Sequence, residues 1–483
     1  MQGLNTSQAS RATPKALILM MVGMTLLLAV HLCYTYPSLA SWKIPTALGK
    51  EAPQNATEIT MAPVEQEELP CKKLQGGEDV LVVMRTGATE IKDKLPAHLN
   101  TTFQCYNDYI ILSDYEEEFE GHQVHDLLAN VEDDVKETHP DFALWRRLRD
   151  NGRDSLDDSE LSGAVSRESG AVGKTDNEGW RLDKWKFLPM AVRTLELYPE
   201  KKWYVFVEPD TYLMWANLLD WLRLLDPTEP LYYGSEVQID KDVFAHGGSS
   251  FVISNPALQR AAKLYRENAA DWHALTSAHW AGDCILGKAL AQTGTPLTWS
   301  WPMFQGGNPN TMDFLEAKSD GRNLWCAPAL SYHHLSPSEI TRLFNFEQDW
   351  LRVTQDRKAH SPHSAGYISW RQHERMRIHH QDVFRSYVLP ATTSGARENW
   401  TNLSPDLRAG THNSTLAECQ EMCASVDGCV QYSLSRMGCA FSQEGKMGQA
   451  AEGVQAGWLE DRVREWADGH GVCEREVMSW TVI

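Results

Sequence analysis

The chain has 483 residues, of which 42% are hydrophobic and 18 are tryptophans, enough to bury one large core or two moderate ones, which excludes wholesale disorder. Its formal net charge of -20 excludes a nucleic-acid binder, because such a protein needs a basic face to neutralise phosphates. A small anionic ligand would require local positive charge to offset the surplus of acid.

Near the N-terminus, "ALILMMVGMTLLLAVHL" (Ala16 to Leu32) carries no formal charge over 17 residues, at the short end of what spans a bilayer. Arg11 and Lys15 precede it, so the positive-inside bias predicts a cytosolic tail over 1–15, a transmembrane signal anchor over 16–36, and the rest across the membrane. A cleaved signal peptide is the competing reading, but "HLCYTYPSLASW" offers a poor small-residue cleavage site. Residues 37–70, Pro-, Ala- and Thr-bearing without a sustained period, read as a stem. Sequons at Asn55, Asn100, Asn399, Asn402 and Asn413 fit a luminal, glycosylated chain. Nine of the 10 cysteines lie beyond the 16–36 anchor, where an oxidising compartment would pair them. Nine is odd, so at least one thiol is free or links two copies in a homodimer.

From 71 to 390 strands alternate with helices. "EDVLVVMRTG" and "DYIILSD" read as buried strands, and "KKWYVFVEPD" as a third. Leu188, Val192 and Leu195 predict a helix entering that third strand, with Pro189 in its first turn. "WANLLDWLRLL" predicts a helix after it, stopped by Pro227. The pattern implies an α/β domain with a mostly parallel sheet covered on both faces. Ligands of such sheets lie at the carboxyl ends of the strands, where Arg85, Thr86, Asp114, Glu208 and Asp210 fall.

"EPD" at that place presents oxygen ligands of the kind hard cations such as Mg²⁺ or Mn²⁺ take, although a pair of solvated acids would read the same way. "FAHGGSSFVIS" puts Gly247 and Gly248 before a strand, where missing side chains would let a ligand lie against backbone. In "HWAGDCILGKAL", Asp283 precedes a helix and could be its N-cap.

In order, these features are Thr-Gly after a strand, Ser-Asp after a strand, acid-x-Asp-Thr-Tyr, Gly-Gly before a strand, Gly-Asp before Leu-Gly, and Tyr332-His333. The order resembles glycosyltransferase family 31, notably the fungal members akin to fringe and core-1 β1,3-galactosyltransferases. That resemblance, over about residues 76 to 390, implies a GT-A fold, a mixed Rossmann-like sheet flanked by helices, and inverting transfer from a UDP-sugar, galactose first. It implies that Asp210 binds the metal, with His333 as second ligand, His334 as runner-up and Glu208 at the position where relatives carry Asp. Manganese is favoured over magnesium because imidazole suits it better. It implies that Asp283 is the general base, with Gly282 where many relatives carry a second acid.

By the same resemblance Arg85, Thr86, Gly87 and Asp114 hold the uridine, and Asp183, Lys184, Trp180, Gly247 and Gly248 lie along the donor. The charged "RLDKWK" would equally suit a solvated face. Trp299, Trp301 and Phe304 are candidates for sugar stacking, or core. A membrane-tethered carbohydrate binder or chaperone that retains the fold without turnover is the alternative function. The setting implied is the Golgi membrane, with a glycan or glycoprotein acceptor.

After Pro390 a polar stretch, 391–415, reads as a linker that would make the C-terminal region separable from the body. Residues 416–483, with Cys419, Cys423, Cys429 and Cys439 close together and "GWLEDRV" after them, resemble a PAN/apple module, a small disulfide-rich α+β fold that binds proteins or carbohydrates. That resemblance pairs Cys419 with Cys439 and Cys423 with Cys429. In the body, Cys71 with Cys105 and Cys284 with Cys326 are expected pairs, leaving Cys473 over.

Overall fold

The structure, a computed structural model, describes residues 68–161, 177–319, 321–359, 377–470, 473 and 480. The expected anchor, most of the stem and the sequon at Asn55 lie outside these residues. Among the described residues no helix is long and apolar enough to cross a membrane.

Val80–Arg85 (β1) is buried at every position, as a strand covered on both faces must be. A turn at Gly87 leads to α1 (Ile91–Leu99), then to β2 (Tyr109–Ser113), β3 (Glu117–Phe119) and β4 (His122–Asp126). Helices α2 (Glu178–Asp183) and α3 (Phe187–Leu197) precede β5 (Trp203–Val207). Pro189 does sit in the first turn of α3, where no intrahelical bond needs its N–H. Next come β6 (Tyr212–Leu213), α4 (Trp215–Leu222), β7 (Tyr232–Gly234), the hairpin β8 (Glu236–Ile239) and β9 (Asp242–Ala245), and β10 (Phe251–Ser254). Helices α5 (Asn255–Glu267) and α6 (Gly282–Gln292), the short β11 (Thr298–Trp299) and β12 (Ser331–Tyr332), and α7 (Pro337–Ala359) complete the body.

The main sheet runs β11-β7-β10-β5-β1-β2-β4-β3. The inner strands β4, β2, β1 and β5 are parallel, but β10 is antiparallel to both its neighbours, so the sheet is mixed. Pleating sends Leu81, Val83, Tyr204 and Phe206 against α3, α5 and α6. The alternate residues Val80, Val82, Met84 and Val205 face α1, α4 and α7. This sheet between helical layers fits the GT-A arrangement. It places the ends of β1, β2 and β5 side by side.

Cys71 pairs with Cys105 as expected. The expected Cys284–Cys326 bond does not form: Cys326 pairs with Cys473, and Cys284 is buried and free. The two thiols belong to different cores, Cys284 packing under Phe244 and Ala281 beside α6, and Cys326 in the cluster on the opposite side of the sheet.

The stretch expected as a linker is ordered. It contributes β13 (Arg397–Thr401) and β14 (Asp406–Leu407) to an antiparallel sheet with β15 (Gln431–Ser435), β16 (Gly438–Ser442) and β17 (Gln449–Trp458), in the order β13-β17-β15-β16-β14. Helix α8 (Leu416–Ser425) is tied down by Cys419–Cys439 and Cys423–Cys429, the expected pairs, and α9 (Glu460–Gly469) follows the sheet. The cysteines close a small core with Tyr432 and Phe441. Val430, Met447, Trp458, Val463 and Ala467 instead join the large core of the body, where Trp466 meets Phe384 at 5.1 Å between ring centroids and Trp325 at 6.1 Å.

Asn402 lies inside this junction at 0% exposure. Its Nδ2 donates to the carbonyl oxygens of Tyr432 (3.0 Å) and Gly457 (3.1 Å), which leaves no place for a glycan and overturns that expectation. Asn100, Asn399 and Asn413 are exposed.

Candidate active site

A cavity of about 320 Å³ opens at the carboxyl ends of β1 and β5. Arg85, the last residue of β1, lies on its floor, stacked 4.1 Å above the Phe187 ring centroid. Its guanidinium bonds Asp183 through Nη1 and Glu208 through Nη2. Burial works against that charge, but the two acids hold Arg85 above its usual range. Lys186, missed from the sequence, is buried beside it and donates to the Thr86 carbonyl (2.8 Å) while pairing with Asp114 (2.8 Å). Asp114 also accepts from the Ala88 N–H at 2.8 Å. Thr86 and Asp114 therefore brace the Gly87 turn from behind and do not line the cavity. Lys184 does line it, yet its ammonium is drawn to Asp141 (2.9 Å). Spacing in "RLDKWK" could not tell which lysine turns inward.

Glu208 and Asp210 follow β5. Asp210 Oδ2 faces Lys94 Nζ at 3.2 Å, and Oδ1 faces His333 Nε2 at 3.3 Å but is buried without a formed hydrogen bond. Burial opposes ionisation of Asp210, but Lys94 and His333 hold its carboxyl well below the usual range. For Glu208 burial is likewise outweighed, by Arg85 and then His333, bringing it down to about 2. His333 responds in the opposite sense: burial disfavours its charge, but Asp210 and Glu208 raise it to about 10.

Ligand atoms of Asp210, His333 and His334 all lie within 4.8 Å of one another. Consecutive residues of a strand point to opposite faces. Here His334 adopts φ 58°, a left-handed turn just past β12, and its ring comes to 3.8 Å from that of His333. Gly248 makes room, since a Cβ there would fall 2.2 Å from His333 Cε1. A buried carboxylate oxygen beside two histidine rings suits a divalent ion such as Mn²⁺, which would take the place of the proton that Asp210 and Glu208 hold on His333. Glu208, held by Arg85, stands outside the converging group.

Across the cavity, Asp283 sits in the first turn of α6 and does not cap it; the N-cap is Ala281. Its Oδ2 accepts from the Gly247 N–H (3.0 Å) and its Oδ1 from the Cys284 N–H (2.9 Å). Burial pushes its carboxyl up to about 6, partly offset by those two bonds. Gly282 leaves no space for a second acid beside Asp283: a Cβ would lie 2.3 Å from Phe187 Cδ2 and 2.6 Å from the Lys184 Cα. His246, also unforeseen, lines the cavity with Nδ1 2.7 Å from Ser249 Oγ; burial, then His333, lower it to about 4.

Over 203 residues, 38% of the chain, the protein is 24% identical to glycoprotein-N-acetylgalactosamine 3-beta-galactosyltransferase 1 of Xenopus laevis. The chain spans about half of that relative's length, 56%. No family model matches.

The cavity thus brings together Arg85, Gly87, Asp183, Lys184, Trp180, Glu208, Asp210, Gly247, Gly248, Asp283, His333 and His334. The expected stacking aromatics are elsewhere. Phe304 is wholly buried against Trp221 at 5.8 Å, and Trp301 is buried with Lys318 4.8 Å from its ring centroid. Trp299 is exposed but outside the cavity. The exposed aromatic on the cavity wall is Trp280.

Proposed function

We propose that the protein is an inverting, metal-dependent glycosyltransferase that moves a hexose from a UDP-sugar to a glycan or glycoprotein acceptor. The observation that carries this reading is that one cavity is lined by both the Asp210–His333–His334 cluster and Asp283, a carboxylate raised to about 6. Asp210, His333 and His334 would hold the cation, with Glu208 behind them. When bound, a divalent cation there supplies positive charge to the diphosphate leaving group.

The remaining roles fall to the chain itself. Arg85, Lys94 and Lys186 are each paired with acids, so the positive charge that meets an anionic donor here would come from the bound cation. Gly248 leaves the room that the His333 ring occupies, and Gly247 gives its N–H to Asp283. Asp283, held by two N–H groups and poised near neutral pH, takes the proton from the acceptor hydroxyl as that oxygen attacks the anomeric carbon from the face opposite UDP. One carboxylate suffices for this step.

The relative's name points to galactose in a β1,3 linkage, and the resemblance to family 31 points to the Golgi membrane with the body in the lumen. The C-terminal region would recruit a glycan or protein in the manner of a PAN/apple module. The test is UDP release by the purified chain from a panel of UDP-sugars, with and without Mn²⁺. Metal-dependent release from one donor in the presence of acceptor is expected; absence of release from every donor would overturn the reading.

A further inference from the structure

Part of the apolar lining of the cavity gathers beside Asp283. Val237 of β8 and Phe244 of β9 pack with Ala281 and Cys284, which flank that stretch of chain, and Trp280 directly precedes it, while Leu161, Trp180 and Phe187 complete the apolar lining. Trp280 dominates this wall: it precedes Asp283 by three residues and keeps 46% of its surface exposed. Its indole lies nearly parallel to the His279 ring, at 9° with centroids 6.2 Å apart. The Ala281 N–H donates to His279 Nδ1 at 3.0 Å, which fixes the loop on which both rings stand. Leaving a large ring half in water has a cost, which a sugar stacked on it would relieve.

We propose that Trp280 is the acceptor platform: the C–H face of a pyranose ring stacks on its indole, and one hydroxyl of that sugar turns to Asp283. The inference rests on the glycosyl-transfer reading and deepens it. A pyranose fits better than an apolar peptide because Trp280 is the one exposed large apolar side chain among the described residues of the cavity wall, and Asp283 and Lys184 of the same cavity supply polar partners for hydroxyls. Trp280 determines which acceptor binds and takes no part in bond making.

The test uses the full chain as wild type, W280A and W280F, with Mn²⁺ and UDP present. Saturation-transfer NMR measures binding of methyl α-N-acetylgalactosaminide, methyl β-galactopyranoside and methyl β-glucopyranoside, with a Leu-Phe dipeptide amide as the apolar probe; calorimetry measures UDP. At least one pyranoside is expected to bind wild type, to weaken about five- to tenfold in W280A, and to stay within about twofold in W280F, with UDP affinity unchanged throughout. Unchanged pyranoside binding in W280A would overturn the proposal. So would binding of the dipeptide in place of every sugar, or a loss of UDP affinity in W280A, which would put the ring on the donor. UDP binding without any pyranoside would sink the platform alone, whereas failure of wild type to bind UDP would sink the glycosyl-transfer reading itself.

Discussion

Around Asp210 and Asp283 the chain buries charge against charge; around Trp466 and Cys473 it buries rings and sulfur. In the pocket nearly every ionised group leans on an opposite one: Arg85 on Asp183 and Glu208, Lys94 on Glu90 and Asp210, Lys186 on Asp114. Such pairs add little net stability, because removing ions from water offsets most of their attraction, but they fix geometry and set proton affinities. The C-terminal junction does the reverse. Its contacts are non-directional and cooperative, and its disulfides act largely by restricting the unfolded chain. Changes that leave no buried ion unpaired, such as Asp283→Asn, should therefore alter chemistry and spare the fold, removal of one member of a buried pair should also cost about 3–5 kcal/mol, and losses at the junction should alter the fold first.

The harshest test of that contrast is to end the chain near residue 395. The fragment keeps every pocket residue but loses Trp458, Val463, Trp466 and Cys473, exposing Trp325 and Phe384. It is expected to aggregate or lack a cooperative unfolding transition, read by gel filtration and near-ultraviolet circular dichroism. A soluble, cooperatively melting fragment would make the two regions independent after all.

Next in size is Asp283→Asn. Transfer should fall by about 10²- to 10⁴-fold with UDP affinity and melting temperature nearly intact. Asp210→Asn should lose Mn²⁺-dependent UDP binding and transfer together. Calorimetry paired with a transfer assay separates the two, and normal transfer by Asp283→Asn would remove the base from the mechanism.

On the junction side, Cys473→Ser opens a covalent loop with a sequence separation of 147. A loss of about 2–5 kcal/mol in denaturant unfolding is expected, with transfer retained well below the midpoint. Loss of transfer without loss of stability would mean that the tail acts on the site directly.

The gentlest probe is pH. With Asp283 raised to about 6, transfer should climb about tenfold per unit below that value and level off above it, since only the carboxylate accepts a proton. Asp283→Asn should lack this limb. The same shift has a stability sign: because the folded value lies above the ordinary one, the contribution of Asp283 to folding is fully present below about pH 4 and is lost as pH rises through about 6.

Much of the sheet was legible because its strands are continuous apolar runs. The stretches holding β1, β2 and β5 were placed by composition alone, and their ends located the pocket. The antiparallel β10 was not legible, since an all-apolar strand carries no sign of its direction. Motif order pointed to Asp210, His333 and Asp283, which line one cavity and whose neighbours in sequence are distinctive. It missed Lys186, Lys94, His246 and Trp280, whose facing depends on turns that local sequence leaves open. The reading of 391–415 failed because β13 and β14 gain their partners from strands far along the chain; polar composition described their exposed faces only. Asn402 failed in the same way, its sequon being local and its burial not.

The Cys326–Cys473 bond also imposes a timetable. Synthesis from the N-terminus presents Cys326 to the oxidising surroundings that disulfides require well before its partner exists, while Cys284 is already made. Exchange needs a thiolate, and burial pushes the Cys284 thiol up to about 11, starving it of that form. With α6 seated on the hairpin, Cys284 is the unpaired body cysteine among the described residues and is poorly able to exchange, which leaves Cys326 to its partner beyond the strand-rich region.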